Sequence, residues 1–308
     1  MSCDILCIGE PLYELSEQPD GRFLAGFGGD TSNVAVAAAR LGARTAYVTL
    51  VGNDMFGHAL LKLWHDEGVD TAQVSILDDA PTGLYFITHG PNGHAFTYRR
   101  SGSAATYLAP GHISREAIAG AGFLHVSAIS QAISASAAEA VAHAVAIARG
   151  AGTKISYDTN LRLRLWPLER AREVIAATAG AADILKTSQE DAEVLTGLKE
   201  PEGIARHFFE LGSGVVVVTM GEAGAFVFSD RLREFIAAHR VTTVDASGAG
   251  DAFTGALLSE LAAGRELVEA CRFAVAAAAL STTGHGAVSA LPRRAAVEAL
   301  LNSVQRRG

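Results

Sequence analysis

The sequence has few cysteines and no long apolar run. Its three cysteines, Cys3, Cys7 and Cys271, show neither metal-ligand spacing nor a disulfide pattern. They predict buried thiols in a reducing compartment, and the opening MSCDILCIGE lacks the basic residues of a signal peptide. We therefore expect a cytoplasmic protein. The longest apolar run, FAVAAAAL from Phe273, has eight residues, whereas a membrane span needs about 18.

Positive charge is also scarce. The chain has 25 Lys and Arg residues against 33 Asp and Glu residues, which gives a formal net charge of −8. Without a basic cluster to offset this balance, we expect no nucleic-acid partner and no membrane partner. A small anionic ligand stays open, because it needs only a few positioned cations and backbone N–H groups.

Several familiar site motifs are missing. There is no GxxxxGK[ST] phosphate loop, and neither glycine cluster has the third glycine of the dinucleotide motif GxGxxG. GxSxG and HExxH are absent too, and the ten histidines have no ligand spacing. These absences argue against a dehydrogenase, a serine hydrolase and a zinc protease.

Strand-like and helix-like segments alternate along most of the chain. Residues 4–9 and 44–52 read as buried strands around the helical NVAVAAARLG, and the alternation returns from Phe123. Repeated strand-helix units predict an α/β fold, a three-layer α/β/α sandwich with a mostly parallel central sheet. Binding groups are then expected at the carboxyl ends of the strands.

One region breaks this alternation. Residues 81–98 read as a hairpin with its turn at GPNG, and residues 12–27 are also rich in strand formers. We expect one domain over residues 1–308, with a small β-sheet lid formed from about 12–27 and 81–102. Such an excursion serves as a lid or as a dimer contact, and an exposed hairpin favours a homo-oligomer, a dimer through the lid or a larger assembly.

The segment VDASGAGDAFTGAL, residues 244–257, combines features that suit phosphate chemistry. Gly248 and Gly250 allow close approach of the backbone to a ligand, and a helix that begins here directs unpaired N–H groups towards an anion. Asp251, at the start of the helix, either caps it or acts as a base.

A second glycine cluster, GFGGDTSN, spans residues 26–33 and also precedes a helix. Gly28 and Gly29 permit close approach, and Asp30 and Asn33 offer side chains that hold hydroxyl groups. The alternative is a tight turn in which Asp30 or Thr31 caps the helix.

Together, GGDTSNVAVAAARLG and VDASGAGDAFTGALL resemble the paired signatures of the ribokinase-like (PfkB) carbohydrate kinases, and the resemblance covers nearly the whole chain. It implies a ribokinase-like fold and phosphorylation of a sugar hydroxyl by ATP with Mg²⁺; a requirement for a monovalent cation is left open. By this resemblance Asp251 is the catalytic base, and the backbone N–H groups of Gly248, Ala249 and Gly250 form the anion hole.

Two further segments resemble nucleotide-binding parts of the family. KTSQEDAEVLTG, from Lys186, resembles an Asn-x-x-Glu segment that holds magnesium through water, but Ser188 and Asp191 stand where that motif has Asn and Glu. Glu190 could substitute for Asp191, and a capped helix start is the alternative. VVVVTMGEAGAFVF resembles a strand and turn that approach ATP, although a plain β-turn-β would look the same. The ATP-binding residues implied are Lys186, Ser188, Thr219, Gly221 and Gly224.

Two arginines bear on the substrate. Arg100 ends the lid hairpin and Arg162 follows a strand, and in an acidic chain two such arginines suggest a carboxylate or phosphate ligand. The alternative is that both are surface residues, and Arg99 or Arg164 could be the relevant neighbour.

The TGLYF, YRR-x-x-S and NLR-x-x-LW segments, with GGDTSN, resemble 2-keto-3-deoxygluconate kinases in particular. The reaction implied is phosphorylation of 2-keto-3-deoxy-D-gluconate at the 6-hydroxyl. Fructokinases share NLR-x-x-LW, so a kinase of fructose or ribose is the alternative, and a non-catalytic sugar or nucleotide binder is a remote one. The substrate residues implied are Gly29, Asp30, Asn33, Tyr85, Tyr98, Arg100 and Arg162.

Overall fold

A computed structural model describes residues 2–90 and 93–305 of the chain. The strands in this part are β1 (Cys3–Ile8), β2 (Leu12–Glu17), β3 (Phe23–Gly28), β4 (Thr45–Gly52), β5 (Asp70–Leu77), β6 (Leu84–Gly90), β7 (Gly93–Arg99), β8 (Ala121–Ser127), β9 (Lys154–Asp158), β10 (Ile184–Ser188), β11 (Val215–Thr219), β12 (Gly224–Phe228) and β13 (Arg233–Ala237).

The helices cover the large sheet. They are α1 (Asp30–Arg40), α2 (Met55–Asp66), α3 (Arg115–Ala119), α4 (Ala128–Ala132), α5 (Ala135–Ala151), α6 (Leu168–Ala179), α7 (Gln189–Thr196), α8 (Pro201–Glu210), α9 (Ala249–Ala262), α10 (Leu267–Ser281) and α11 (Arg294–Gln305). Short 3₁₀ turns lie at Ala104–Tyr107, Pro110–His112 and Gly221–Ala223. Within the described ranges, no helix is long and apolar enough to cross a bilayer.

The large sheet has the strand order β13-β12-β11-β10-β9-β8-β1-β4-β5. Its pairs are parallel except for β11–β12 and β12–β13. Side chains of the central strands alternate between the two faces: in β1, Leu6 and Ile8 join one apolar core, while Ile5 and Cys7 join the other. The predicted three-layer α/β/α sandwich with a mostly parallel sheet is confirmed.

A small sheet of order β3-β2-β6-β7 accounts for the break in the alternation. Its strands β6 and β7 pair antiparallel, as the hairpin interpretation predicts, and β2 pairs parallel with β6. The predicted turn at GPNG includes residues 91 and 92, which lie outside the described residues. The existence of the small sheet is confirmed, and its use as a lid stays a prediction.

The helices that follow the two glycine clusters pack directly against each other. Gly255 of α9 faces α1 so closely that a Cβ there would lie 2.6 Å from Ala37 Cβ and 2.9 Å from the Val34 carbonyl oxygen. No side chain fits at such distances without moving one helix. Gly255 therefore sets the spacing between the two segments that carry the sequence signatures.

We predict that Gly255→Ala lowers the free energy of unfolding by about 1–3 kcal/mol, because the added methyl forces α1 and α9 apart. Gly203→Ala in α8 is the matched control, since a Cβ at Gly203 meets nothing within 4 Å. The control should be neutral or stabilising by up to about 1 kcal/mol. Urea denaturation measures both, and equal effects would contradict the packing account.

Candidate active site

Helix α9 begins at Ala249, and Gly248 occupies the N-cap position with φ 75°. Asp251 is therefore inside the first turn and does not cap the helix, so that alternative is wrong. Its carboxylate instead accepts a hydrogen bond from Asn33 Nδ2, with a distance of 2.7 Å to Asp251 Oδ2. The two glycine clusters meet at this contact.

The surroundings of Asp251 disfavour its charged form. The side chain is buried, and burial raises its pKa to about 7, with the nearby Asp30 and Asp158 carboxylates acting in the same direction. The hydrogen bond from Asn33 and the charge of Lys186 lower the pKa but do not offset the burial. A carboxyl that titrates near neutral pH is suited to accepting a proton from a hydroxyl.

The GFGGDTSN cluster gives α1 a glycine cap. Gly29, with φ 92°, is the N-cap residue and no side chain caps the helix, so the interpretation of Asp30 or Thr31 as a cap is wrong. Asp30 Oδ1 accepts from the Thr31 backbone N–H at 2.8 Å, and Oδ2 accepts from Asn160 Nδ2 at 2.9 Å. Asp30 is thereby fixed beside Asn33.

Only one of the two polar side-chain atoms of Asn33 has a hydrogen-bond partner among the described residues. While its Nδ2 donates to Asp251, its buried Oδ1 has no hydrogen-bond partner among the described residues. Buried polar atoms are rarely left without a partner, so this oxygen is available to accept a hydrogen bond from a ligand. Asn33 can therefore orient a hydroxyl against the Asp251 carboxylate.

Lys186 places a positive charge at the start of α9. Its Nζ lies 3.0 Å from Asp158 Oδ2, and it would lie only 2.8 Å from a Cβ built on Gly250. Burial alone would lower the pKa of Lys186, but the Asp158 and Asp251 carboxylates outweigh it, so its pKa is raised. The ammonium and the helix N-terminus together favour an anion at this point.

The predicted metal residues differ in their surroundings. Asp191 is half-buried, its Oδ2 accepts from the Leu161 backbone N–H at 3.0 Å, and burial raises its pKa although Arg162 opposes this. Glu190 is exposed. Ser188 caps α7 by accepting from the Asp191 backbone N–H. Asp158 and Lys186 also act on the pKa of Asp191, so Asp191 lies near the charged groups around Asp251, and its metal role stays a prediction.

A cavity of about 590 Å³ extends from the start of α9 to the β11–β12 turn. It brings together the predicted Thr219, Gly221 and Gly224 with Ala249 and Gly250. Its remaining lining is mainly apolar or uncharged, but it includes three titratable side chains that sequence reasoning missed. These are Glu222, His239 and Arg240.

The small sheet contributes two aromatic side chains. The rings of Tyr85 and Tyr98 stack at 5.7 Å between centroids and 26° between planes. The Tyr85 hydroxyl donates to Glu14, and it lies against Gly28 of the glycine cluster. The tyrosines thus join the small sheet to the segment that holds Asp30 and Asn33.

The arginines are arranged less simply than the sequence suggests. Arg100 forms an ion pair with the buried Glu10. Arg162 is exposed and donates to the carbonyl of Leu161, while the exposed Arg164 reaches the Phe96 carbonyl in β7 at 3.4 Å. Whether Arg100 and Arg162 contact a substrate therefore stays a prediction.

Four polar residues of this region escaped the sequence reasoning. Asp158 had a usable signal, since it ends a predicted strand on the edge where ligands bind. Asn160, two residues later, has a φ of 20°, and no sequence pattern predicted this backbone angle. The remaining two are the buried glutamates, Glu10 and Glu14.

Comparison with known proteins places this geometry in a family. Residues 3–294 match the model of the pfkB family carbohydrate kinase. The chain is 36% identical to fructokinase-2 of Solanum habrochaites over 90% of this chain and 87% of that protein. It is 33% identical to the 2-dehydro-3-deoxygluconokinase of Thermoproteus tenax over 97% and 94% of the two chains.

Among solved structures, a putative ribokinase II from E. coli in complex with ATP and Mg²⁺ superposes with a TM-score of 0.90. It is 26% identical, and the match covers 98% of this chain and 100% of that one. The chain belongs to the pfkB family of carbohydrate kinases. The predictions of a ribokinase-like fold and of an ATP-dependent carbohydrate kinase are confirmed.

The raised pKa of Asp251 predicts a pH-dependent stability. Below its unfolded pKa of 3.8 both states are protonated; between 3.8 and about 7 the folded state binds more protons, so wild-type stability falls as pH rises. Asn cannot titrate. From pH 5 to pH 8, the free energy of unfolding of Asp251→Asn should therefore rise relative to wild type by about 1–3 kcal/mol.

Urea denaturation of both proteins at pH 5, 6, 7 and 8 measures this difference. Glu10, whose pKa is also raised to about 7 by burial, is present in both proteins, so its contribution cancels in the comparison. A difference that does not change with pH would contradict the account of Asp251.

Proposed function

We propose that the protein phosphorylates 2-keto-3-deoxy-D-gluconate at its 6-hydroxyl with ATP. The observation that carries the phosphoryl-transfer part of the proposal is the buried Asp251 carboxylate, held by Asn33 at the N-terminus of α9, where Gly250 lines the cavity. A sugar hydroxyl bound by Asn33 Oδ1 and Asp30 would lie against Asp251. Asp251 then accepts the hydroxyl proton as the sugar oxygen bonds to the γ-phosphorus of ATP and the bond from that phosphorus to ADP breaks.

The phosphoryl group develops its charge at the start of α9. We assign the anion hole there to the backbone N–H groups of Gly248, Ala249 and Gly250, and Lys186 adds a cation beside Gly250. The Ala249 N–H donates to the Ala246 carbonyl at 3.2 Å, so it would have to share or leave that bond to reach a phosphoryl oxygen. Lys186 is in turn held by Asp158.

The cavity has a size suited to ATP. A volume of about 590 Å³ is in the range of small-molecule sites, and Thr219, Gly221 and Gly224 line its far end. ATP would supply the phosphoryl group, and a bound Mg²⁺ would neutralise charge on its oxygens. Asp191 would hold the metal through water, with Glu190 as the alternative. A requirement for a monovalent cation stays open.

Two arginines support an acid substrate. Arg100 lies over the Tyr98 ring, with 5.4 Å from its Cζ to the ring centroid, and Arg162 is exposed beside Asp191. Tyr85 and Tyr98 supply the surface on which the sugar packs. The chain is similar to a protein named 2-dehydro-3-deoxygluconokinase, and that name refers to the same keto-acid. This similarity supports the same substrate.

Fructose is the second candidate. The observation in its favour is the Glu10–Arg100 ion pair, because an arginine with a carboxylate partner attracts a second carboxylate less strongly. The 36% identity to a fructokinase supports it as well.

Self-association through the small sheet also stays a proposal. Its strands expose apolar side chains that a partner could cover: Phe23 at 46%, Leu24 at 59% and Phe96 at 40%.

The substrate is tested by a coupled assay of ADP release with 2-keto-3-deoxygluconate, its galactonate epimer, gluconate, fructose and ribose. We expect the keto-acid to have the highest kcat/KM. Arg162→Ala should raise KM for the keto-acid about tenfold or more, since it removes a charge-assisted contact, and should change KM for fructose less than about twofold.

Arg170→Ala is the control, because it removes an exposed arginine from the surface of α6. It should leave both KM values unchanged. Equal loss for acid and neutral sugars in Arg162→Ala would rule out the arginine argument, and a wild-type preference for fructose would select the second candidate.

A further inference from the structure

Glu10 is the most deeply buried acid outside the proposed chemical steps. It follows the central strand β1 and is only 1% exposed. Arg100, which follows β7 of the small sheet, donates from Nε to Glu10 Oε1 at 3.2 Å and from Nη2 to Oε2. The pair is a fork that joins the large sheet to the small sheet.

The fork lies within the sugar region. The Glu10 backbone carbonyl touches Gly29 so closely that only glycine fits there. On the other side, Arg100 covers the ring of Tyr98, which stacks on Tyr85. Glu10 and Arg100 therefore stand between the glycine cluster and the tyrosines.

Stability alone does not explain a buried ion pair here. Removing two charged groups from water is costly, and a well-packed apolar pair is often as stable. Burial raises the pKa of Glu10 to about 7 even though Arg100 opposes it. The charged groups that act on Glu10 are Arg100 and Asp30, and the Tyr47 hydroxyl of β4 also faces it. Near neutral pH, Glu10 is therefore close to the balance between its charged and its neutral form.

We propose that Glu10 is a specificity-determining residue that masks the charge of Arg100 against small anions. The guanidinium has five N–H donors, and the pair with Glu10 uses two of them. An anion that approaches the Arg100 guanidinium also comes close to the Glu10 carboxylate that is bound to it. The negative charge of Glu10 repels the anion. Only an anion that also gains contacts to the rest of the sugar site overcomes that repulsion.

This inference deepens the proposed function, since it assigns Arg100 to the acid end of the substrate. Glu10 acts through Arg100 and does not touch the reacting atoms, so it is a positioning residue. Its charge sets the ratio of kcat/KM for an acid sugar to that for a neutral sugar.

The test is Glu10→Gln, which keeps the size and one acceptor oxygen and removes the charge. At pH 8 the ratio of kcat/KM for 2-keto-3-deoxygluconate to that for fructose should rise about tenfold or more over wild type. Glu67→Gln is the control, because Glu67 forms a partly buried pair with Arg40 at the C-terminal end of α1, away from the small sheet. The control ratio should stay unchanged. An unchanged or lower ratio in Glu10→Gln would overturn the proposal.

A second readout does not depend on the acid sugar being a substrate. With fructose as substrate and ATP saturating, sulfate should inhibit Glu10→Gln competitively with the sugar at about tenfold lower concentration than wild type. Equal inhibition of both proteins would overturn the masking role. If wild type uses only fructose but sulfate inhibition still increases, the proposed substrate fails and the role of Glu10 stands.

Wild type offers a measurement that needs no variant. Lowering the pH from 8 to 6 protonates Glu10 and should raise the same acid-to-neutral ratio, since Asp251 affects both sugars equally and cancels. A ratio that is constant from pH 8 to pH 6 would overturn the proposal, whatever the folding of Glu10→Gln.

Discussion

The contact between Asn33 and Asp251 is the interaction on which the site depends. It joins residues that are far apart in the sequence, through a 2.7 Å hydrogen bond that is buried on both sides. The bond can form only because α1 and α9 pack at the distance set by Gly255. Because the core is packed to crystal-like density, a methyl group added at Gly255 would shift the two helices and disturb this hydrogen bond.

The surroundings of this contact determine the electrostatics of Asp251. Asp251 shares its buried surroundings with the Asp30 and Asp158 carboxylates, and Lys186 is the cation among them. Burial, and then the excess of negative charge, raise the pKa of Asp251 above that of an aspartate in water. A group that must receive a proton during the reaction is thereby tuned to neutral pH, at a cost in stability when it is ionised.

Sequence reasoning succeeded where the signal was local. Glycines before a helix predicted both cluster positions, strand-helix alternation predicted the parallel sheet, and GLYFITHG with its following turn predicted the hairpin. The antiparallel edge strand β13 and helix α8 escaped it, since REFIA is short and PEGIARHFFE mixes its apolar residues with charge.

Partners across the fold could not be predicted in the same way. Scarcity of positive charge drew attention to Arg100, but nothing in the segment IGEPL indicates that Glu10 pairs with it, because the pairing depends on how the small sheet folds back on β1. The predicted cap of α1 was wrong for a local reason: Gly29, with φ 92°, takes the N-cap position, so Asp30 falls inside the helix and its carboxylate accepts from Asn160.

The central claim is that Asp251 accepts the hydroxyl proton of the sugar. The most direct measurement compares turnover of Asp251→Asn and wild type at saturating ATP and sugar, with both ligands' binding measured by calorimetry. The account predicts a loss in kcat of at least about a hundredfold with both dissociation constants changed by less than about threefold. Asp183→Asn is the control and should keep wild-type turnover, because Asp183 precedes β10 and lies at the amino ends of the parallel strands, away from the site. Full turnover in Asp251→Asn with normal binding would contradict the account.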